Sequence, residues 1–284
     1  MRATSLTSRD RSDVEALLHS DVETNLFLLG VLAAGGSSGL PPGAWWGYGP
    51  PRGPFPDKRS GALSAMVFIA SSALANGRNL AVPAGDPDGC RAIGTALGPF
   101  GPIRMVVGPR QACDAFWRGL GDPEARIRYE QRLYVCTEVT PGPELEIRPA
   151  TPGQADALAD MAGQMMLEDL GEDPRVYDPE GHRRLVAERI RAGRTMIGTE
   201  GDRIVFKVDV GTKFDRGCQV GGTFVPPELR GRGFATQGMR AVCRRLLRDV
   251  PMVTLHVNEA NLPAVRSYEA TGFRRSAPFR LMTL

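Results

Sequence analysis

The stretch Arg230-Gly231-Arg232-Gly233-Phe234-Ala235-Thr236 alternates two permanent positive charges with two residues that lack a Cβ. Beyond it Ala235, Met239, Ala241, Val242, Leu246 and Leu247 recur with a helical period. A glycine-lined turn that feeds a helix exposes several backbone N–H groups and the positive end of the helix dipole, and both favour a phosphate-bearing ligand. Arg230 and Arg232 can pair with its oxygens. Residues 220–225, mostly small or apolar, read as a strand that Pro226-Pro227 must end, because proline cannot donate to a ladder. The turn is not a P-loop, since no Gly-Lys-Ser/Thr follows, and its glycines are not spaced as in the dinucleotide fingerprint.

A second chemistry-bearing stretch runs Asn258-Glu259-Ala260-Asn261-Leu262-Pro263-Ala264-Val265-Arg266-Ser267-Tyr268-Glu269-Ala270-Thr271-Gly272-Phe273. Asn261 suits a helix N-cap, and the Tyr268 phenol can hold or release a proton. Arg230-x-x-Gly233-x-Ala235 matches the pyrophosphate-binding Q/R-x-x-G-x-G/A motif of the GNAT superfamily of acyl-CoA-dependent N-acetyltransferases. The downstream stretch resembles that family's N-x-x-A-x-x-x-Y-x-x-x-G-F signature. The two motifs stand in the family's order and spacing, and the resemblance covers roughly residues 145–284.

The resemblance implies an acetyl-CoA-dependent N-acetyltransferase that works by direct attack in a ternary complex, with acetyl-CoA as co-substrate and no metal. It places the pantetheine arm beside Thr223, Phe224 and Val225, with the oxyanion donor near Phe224 or Val225. The pyrophosphate falls on Arg230, Gly231, Arg232, Gly233, Phe234, Ala235 and Thr236. Tyr268 would protonate the leaving sulfur, or pack under the cofactor with a structural hydrogen bond. Asn261 would cap its helix, bond the pantetheine, or do both. At the position where many members carry a glutamate base, this chain has Gln219, which cannot take a proton at neutral pH. Glu168, Asp169, Glu172 and Asp173 are substitutes, or a solvated acidic helix end; Asp209 is a further candidate. An acidic lip would attract a cationic amine such as a protein lysine or a polyamine. Rival readings are a non-catalytic acyl-CoA-binding regulator and a small-molecule acetyltransferase of the mycothiol-synthase-like tandem type.

The chain has 284 residues, which suggests two domains. Charged residues make up 24% and net charge is +3, almost all of the positive side being arginine; only Lys58, Lys207 and Lys213 are lysines. Without a long basic run or interleaved aromatics, no nucleic-acid partner is expected. No apolar run is long enough to span a membrane. Met1-Arg2-Ala3-Thr4-Ser5-Leu6 lacks the apolar core of a secretory leader, so a cytoplasmic location is expected. Five scattered cysteines without C-x-x-C spacing argue against a disulfide framework or a zinc site. The oligomeric state is not legible.

Periodicity places one helix over residues 9–30, then a Gly/Pro-rich loop over 35–61 holding a short strand with Trp45, Trp46 and Tyr48. Strands follow at 62–70 and 79–83, a helix at 88–97, a strand at 103–107, a helix at 111–120 and a strand at 132–139. Pro141-Gly142-Pro143 reads as a linker. Beyond it come a strand (145–149), helices (154–170, 179–192), three strands (195–199, 203–210, 218–225), the glycine turn and its helix, a strand (252–257), a helix (262–270) and a last strand (273–281). The two halves repeat one pattern. The expected fold is α+β: two tandem GNAT-like domains, 1–140 and 145–284, each a mixed, mostly antiparallel sheet flanked by helices. Where the second half has two arginines, the first has Asp86 and Asp88, which would repel a pyrophosphate. The first half is therefore expected to be a degenerate copy, as in the tandem GNAT-like proteins of actinobacteria that it resembles.

Overall fold

A computed structural model describes residues 1–36, 39–50, 62–71, 79–98 and 103–284. Residues 37, 38 and 51–61 of the expected loop lie outside the described residues. The chain divides into two compact units, residues 1–133 with 277–284, and residues 134–276. Pro141-Gly142-Pro143 thus falls inside the second unit, where the neighbouring Thr140 N–H is bonded to the Thr271 carbonyl at 2.9 Å. The last eight residues belong to the first unit.

In the first unit the strands are β1 (Arg2–Ser5), β2 (Ala44–Gly49), β3 (Ala65–Ser71), β4 (Asn79–Gly85) and β5 (Ile103–Pro109). Neighbours pair antiparallel from β1 to β4, then β4 pairs parallel with β5. The C-terminal residues Phe279–Thr283 add an antiparallel strand to β5. The helix expected over 9–30 is two, α1 (Arg11–His19) and α2 (Leu26–Ala34), because residues 20–25 form turns in which the Asn25 side chain bonds the Leu18 carbonyl. Helices α3 (Pro87–Leu97) and α4 (Arg110–Gly119) cover a core that includes Val67, Ile93, Val106, Phe116 and Trp117. They touch at Gly94 and Gly119, where no Cβ would fit between the backbones.

The second unit repeats this order. It contains the end of β6 (Ile127–Cys136), then β7 (Ile147–Pro149), β8 (Thr195–Glu200), β9 (Arg203–Phe214), β10 (Gly217–Phe224) and β11 (Val253–Asn258); β12 (Arg274–Thr283) begins here. Strands β7 to β10 pair antiparallel, and β10 pairs parallel with β11. Its helices are α5 (Ala155–Leu170), α6 (Pro174–Tyr177), α7 (Pro179–Arg191), α8 (Phe234–Leu246) and α9 (Leu262–Thr271). The β8 neighbours Met196 and Ile197 point to opposite faces, as strand alternation requires. Met196 joins the core with Met239, Val242, Leu255 and Tyr268 beneath α8 and α9, whereas Ile197 joins Leu158, Ala162, Val186 and Ile190 beneath α5 and α7. Gly238 lets α8 lie on Phe206: a Cβ there would sit 2.6 Å from the ring.

Candidate active site in the second unit

Two local features open the site. The first is the seam between β10 and β11. Their register contains only Cys218 with Val253 and Gln219 with Thr254, although β10 continues to Phe224 and β11 to Asn258. Beyond Gln219 the two strands are no longer ladder partners. The second is an irregularity of β10 against β9: Gly221 stands opposite Asp209 and Phe224 opposite Lys207, so one extra residue is accommodated at Gly222-Thr223. Gly222 has φ +62, a value glycine reaches at no steric cost.

After β10 the chain makes a short 3₁₀ turn, Pro227–Leu229, and then the glycine turn. Gly231 and Gly233 have φ +78 and +82, so their service is conformational; a Cβ at Gly231 would meet nothing within 4 Å. Gly233 is the N-cap residue of α8, and the first helical bond runs from the Gln237 N–H to its carbonyl at 3.0 Å. The N–H groups of Phe234, Ala235 and Thr236 precede that bond and have no acceptor within the helix. An amide-lined corner with positive-φ glycines, at a helix N-terminus and flanked by arginines, fits a diphosphate.

The arginines are held by carboxylates. Arg230 Nη2 lies 2.7 Å from Glu168 Oε2, its Nε donates to the Val225 carbonyl at 3.1 Å, and its guanidinium sits 5.4 Å from the Phe224 ring centre. Arg232 Nη2 lies 3.2 Å from Glu200 Oε1, with the guanidinium 4.7 Å from the Phe234 ring. Both pairs are solvent-exposed, so each is worth at most about 1 kcal/mol and can yield to a phosphate.

Tyr268, on α9, is only 9% exposed and meets the Phe273 ring edge-on at 5.8 Å. The Thr223 hydroxyl acts on its phenol and donates to Met239 Sδ at 3.7 Å. Burial raises the Tyr268 pKa, the Thr223 bond lowers it, and the charge of Asp169 raises it; the net shift is upward. Asn261 caps α9, accepting from the Ala264 N–H at 3.2 Å, and Thr236 and Ser267 join α8 to α9 through their hydroxyls at 3.0 Å.

The acidic candidates separate by environment. Glu168 accepts from Arg230 and, at 3.0 Å, from Gln164. Asp173 caps α6 and pairs with Arg175 at 2.7 Å. Asp169 remains open to solvent on one side, yet crowding of its carboxyl by the chain raises its pKa, as does the charge of Glu168, while Arg230 opposes. Asp209 is buried. Desolvation pushes its pKa up, but Lys207, Arg189 and the Thr195 hydroxyl outweigh that and hold it below the usual carboxylate range, which makes it a poor base. Gln219 is half-buried where the β10–β11 pairing ends. The sequence reading passed over two residues here. Lys207, a lone cation inside the apolar run Ile204–Val210, is 1% exposed. His256, between core residues Leu255 and Val257, has its pKa pushed down to about 4 by burial. An ionisable residue inside a strand of core residues was the available signal in both cases.

In the first unit the corresponding corner is built differently. The Asp86 carboxylate caps α3, accepting from the Gly89 N–H at 2.8 Å, and so occupies the position a ligand anion would take. Among the described residues, no three His, Cys, Asp or Glu side chains group as a metal site would require, and no helix is long and apolar enough to cross a membrane.

Residues 164–273 match the profile of the acetyltransferase (GNAT) family. No curated protein matches the sequence. Among solved structures, a GCN5-related N-acetyltransferase from Sphaerobacter thermophilus is 16% identical with a TM-score of 0.61, over 99% of this chain and 94% of its own. An acetyltransferase of the GNAT family from Colwellia psychrerythraea is 10% identical with a TM-score of 0.57, over 100% of both chains. A tandem GNAT protein from the clavulanic acid biosynthesis pathway is 15% identical with a TM-score of 0.53, over 100% of this chain and 98% of its own. The protein thus shares the fold of these GNAT structures, the tandem one included, and residues 164–273 of its second unit are similar to the GNAT acetyltransferase family.

Proposed function

We propose that this protein is an acetyl-CoA-dependent N-acetyltransferase whose working centre is in the second unit. The observation that carries the reading is the seam that opens after Gln219 and Thr254, on the strand that leads into the amide-lined corner of Gly231–Thr236. Acetyl-CoA, when bound, supplies an activated acyl carbon as a thioester. The amides of Phe234, Ala235 and Thr236 and the α8 dipole hold its diphosphate, with Arg230 and Arg232 closing over it. The β10 edge at Thr223, Phe224 and Val225 receives the pantetheine arm as a further strand would be received.

Tyr268 gives its proton to the departing sulfur. Its raised pKa keeps the phenol protonated at neutral pH, and its ring is held edge-on against Phe273. Asp169 takes the proton from the attacking amine: burial of its carboxyl at the end of α5 and the neighbouring charge of Glu168 raise its affinity for a proton. The acceptor is an amine, drawn by the carboxylates around Asp169; a protein lysine and a small-molecule amine both satisfy that chemistry. The first unit binds no coenzyme, because Asp86 fills its helix N-terminus.

Gln219 favours a second reading, an acyl-CoA-binding protein without turnover. Calorimetry with acetyl-CoA and assays against lysine peptides and small amines separate the two. The proposal expects one coenzyme per chain, lost on altering Gly233 but not Asp86, and acetylation of at least one amine. Binding without turnover on any amine favours the second reading, and no binding removes both.

A further inference from the structure

Lys207 and Asp209 stand two residues apart on β9, 1% and 8% exposed. Desolvating such a pair is costly, so it persists only where hydrogen bonds satisfy both groups. Asp209 Oδ1 accepts from Thr195 Oγ1 at 2.7 Å, and Oδ2 from Lys207 Nζ at 3.1 Å and Arg189 Nη1 at 3.0 Å. Lys207 directs a second N–H out of this cluster, to the Gly222 carbonyl at 3.0 Å.

That carbonyl belongs to the extra residue of β10. A Cβ at Gly222 would stand 2.7 Å from Asp209 Oδ2 and 3.3 Å from Lys207 Nζ, so the bulge and the buried pair are fitted to one another. The described chain contains no cis peptide. In a trans peptide the N–H points opposite to the C=O, so turning the Gly222 carbonyl to Lys207 turns the Thr223 N–H away from it. A charged donor on the carbonyl also polarises the amide and strengthens its N–H. Thr223 is the residue whose hydroxyl acts on the Tyr268 phenol and donates to Met239 Sδ at 3.7 Å.

We propose that Lys207, held by Asp209, is a positioning residue that clamps the Gly222–Thr223 peptide so that the Thr223 N–H donates to the carbonyl oxygen of the acyl donor beside Tyr268. This assignment rests on the acetyl-CoA reading above. It moves the oxyanion donor from Phe224 or Val225 to Thr223 and gives a chain-specific reason for a buried lysine on the neighbouring strand.

Calorimetry with two ligands tests it without an acceptor, because acetyl-CoA carries the carbonyl and free CoA does not. Lys207→Met should weaken acetyl-CoA binding roughly three- to tenfold, the worth of one hydrogen bond, and leave CoA binding within about twofold. Thr223 amide proton resonances of the acetyl-CoA complex should move upfield in the variant. If Lys207→Met does not fold, the double variant Lys207→Met/Asp209→Asn, which leaves neither charge of the pair, should give the same loss of discrimination. Equal weakening of both ligands would mean the pair only supports the strand, and unchanged affinity for both would show that the clamp does nothing; either overturns the proposal alone. A wild-type protein that binds neither ligand overturns the acetyl-CoA reading itself, and the clamp with it.

Discussion

Glu168 Oε2 lies 2.7 Å from Arg230 Nη2 and ties the end of α5 to the glycine turn. One arginine thus serves α5 and, on the proposed reading, the coenzyme. An exposed pair is worth at most about 1 kcal/mol, whereas an arginine–phosphate bond is worth about 1.5–3 kcal/mol, so the phosphate wins the competition. Arg230→Gln should weaken CoA binding by about tenfold, and Glu168→Gln should leave it unchanged or up to about threefold tighter at low salt. Calorimetry at two salt concentrations checks both.

Gly233 has φ +82, and a β-branched residue there costs about 1–2 kcal/mol in backbone strain. Gly233→Val should therefore lower the melting temperature by a few degrees and reduce CoA affinity at least tenfold, because relieving the strain turns the α8 amides away. Retained affinity in a thermal-shift titration would mean that these amides do not hold the diphosphate.

Tyr268→Phe removes the hydroxyl and keeps the ring against Phe273. If the phenol protonates the leaving sulfur, kcat should fall by about 10²-fold or more while KM for acetyl-CoA changes little. Steady-state rates with any accepted amine decide this; an unchanged kcat leaves Tyr268 a packing role.

Asp169 has a pKa raised above the ordinary carboxylate range by crowding and by Glu168. As a base it works only when deprotonated, so kcat/KM should rise with pH through that elevated value. Asp169→Asn should lower the plateau and remove that acidic limb, while Glu168→Gln should shift the limb downward by deleting a neighbouring charge. A pH–rate profile of each variant gives the answer.

His256 is neutral in the fold, with its pKa near 4 against an ordinary 6.5. Above 6.5 neither the folded nor the unfolded state protonates it and its contribution is intact. As pH falls from 6.5 to 4 only the unfolded chain takes the proton, so stability drops by on the order of 3 kcal/mol. Asp209, held below the carboxylate range, loses its contribution only at still lower pH. Urea melts at pH 7 and 4.5 should show the His256 loss, and His256→Gln should flatten it.

Most elements of the fold were legible because their signals are local. The α8 apolar period, the Pro226-Pro227 stop, the glycines of the turn and the Asn261 cap each act within a few residues. The break between α1 and α2 was not, since residues 20–25 turn where the Asn25 side chain reaches back to the Leu18 carbonyl, a contact that periodicity does not mark. Nor was the return of residues 277–284 to the first unit, because alternation defines a strand without naming its partner.

By itself the sequence determined the repeated α+β order, the phosphate-type turn and the short set of candidate acids and bases. The tertiary structure alone decided which of those groups can act: it gave Glu168 to Arg230, raised Asp169, sealed Asp209 against Lys207 and set Thr223 on Tyr268. The reason is physical. A helix, a turn or a cap depends on neighbours in the chain, but the proton affinity of a side chain depends on desolvation and on charges brought from distant strands, which exist only after packing.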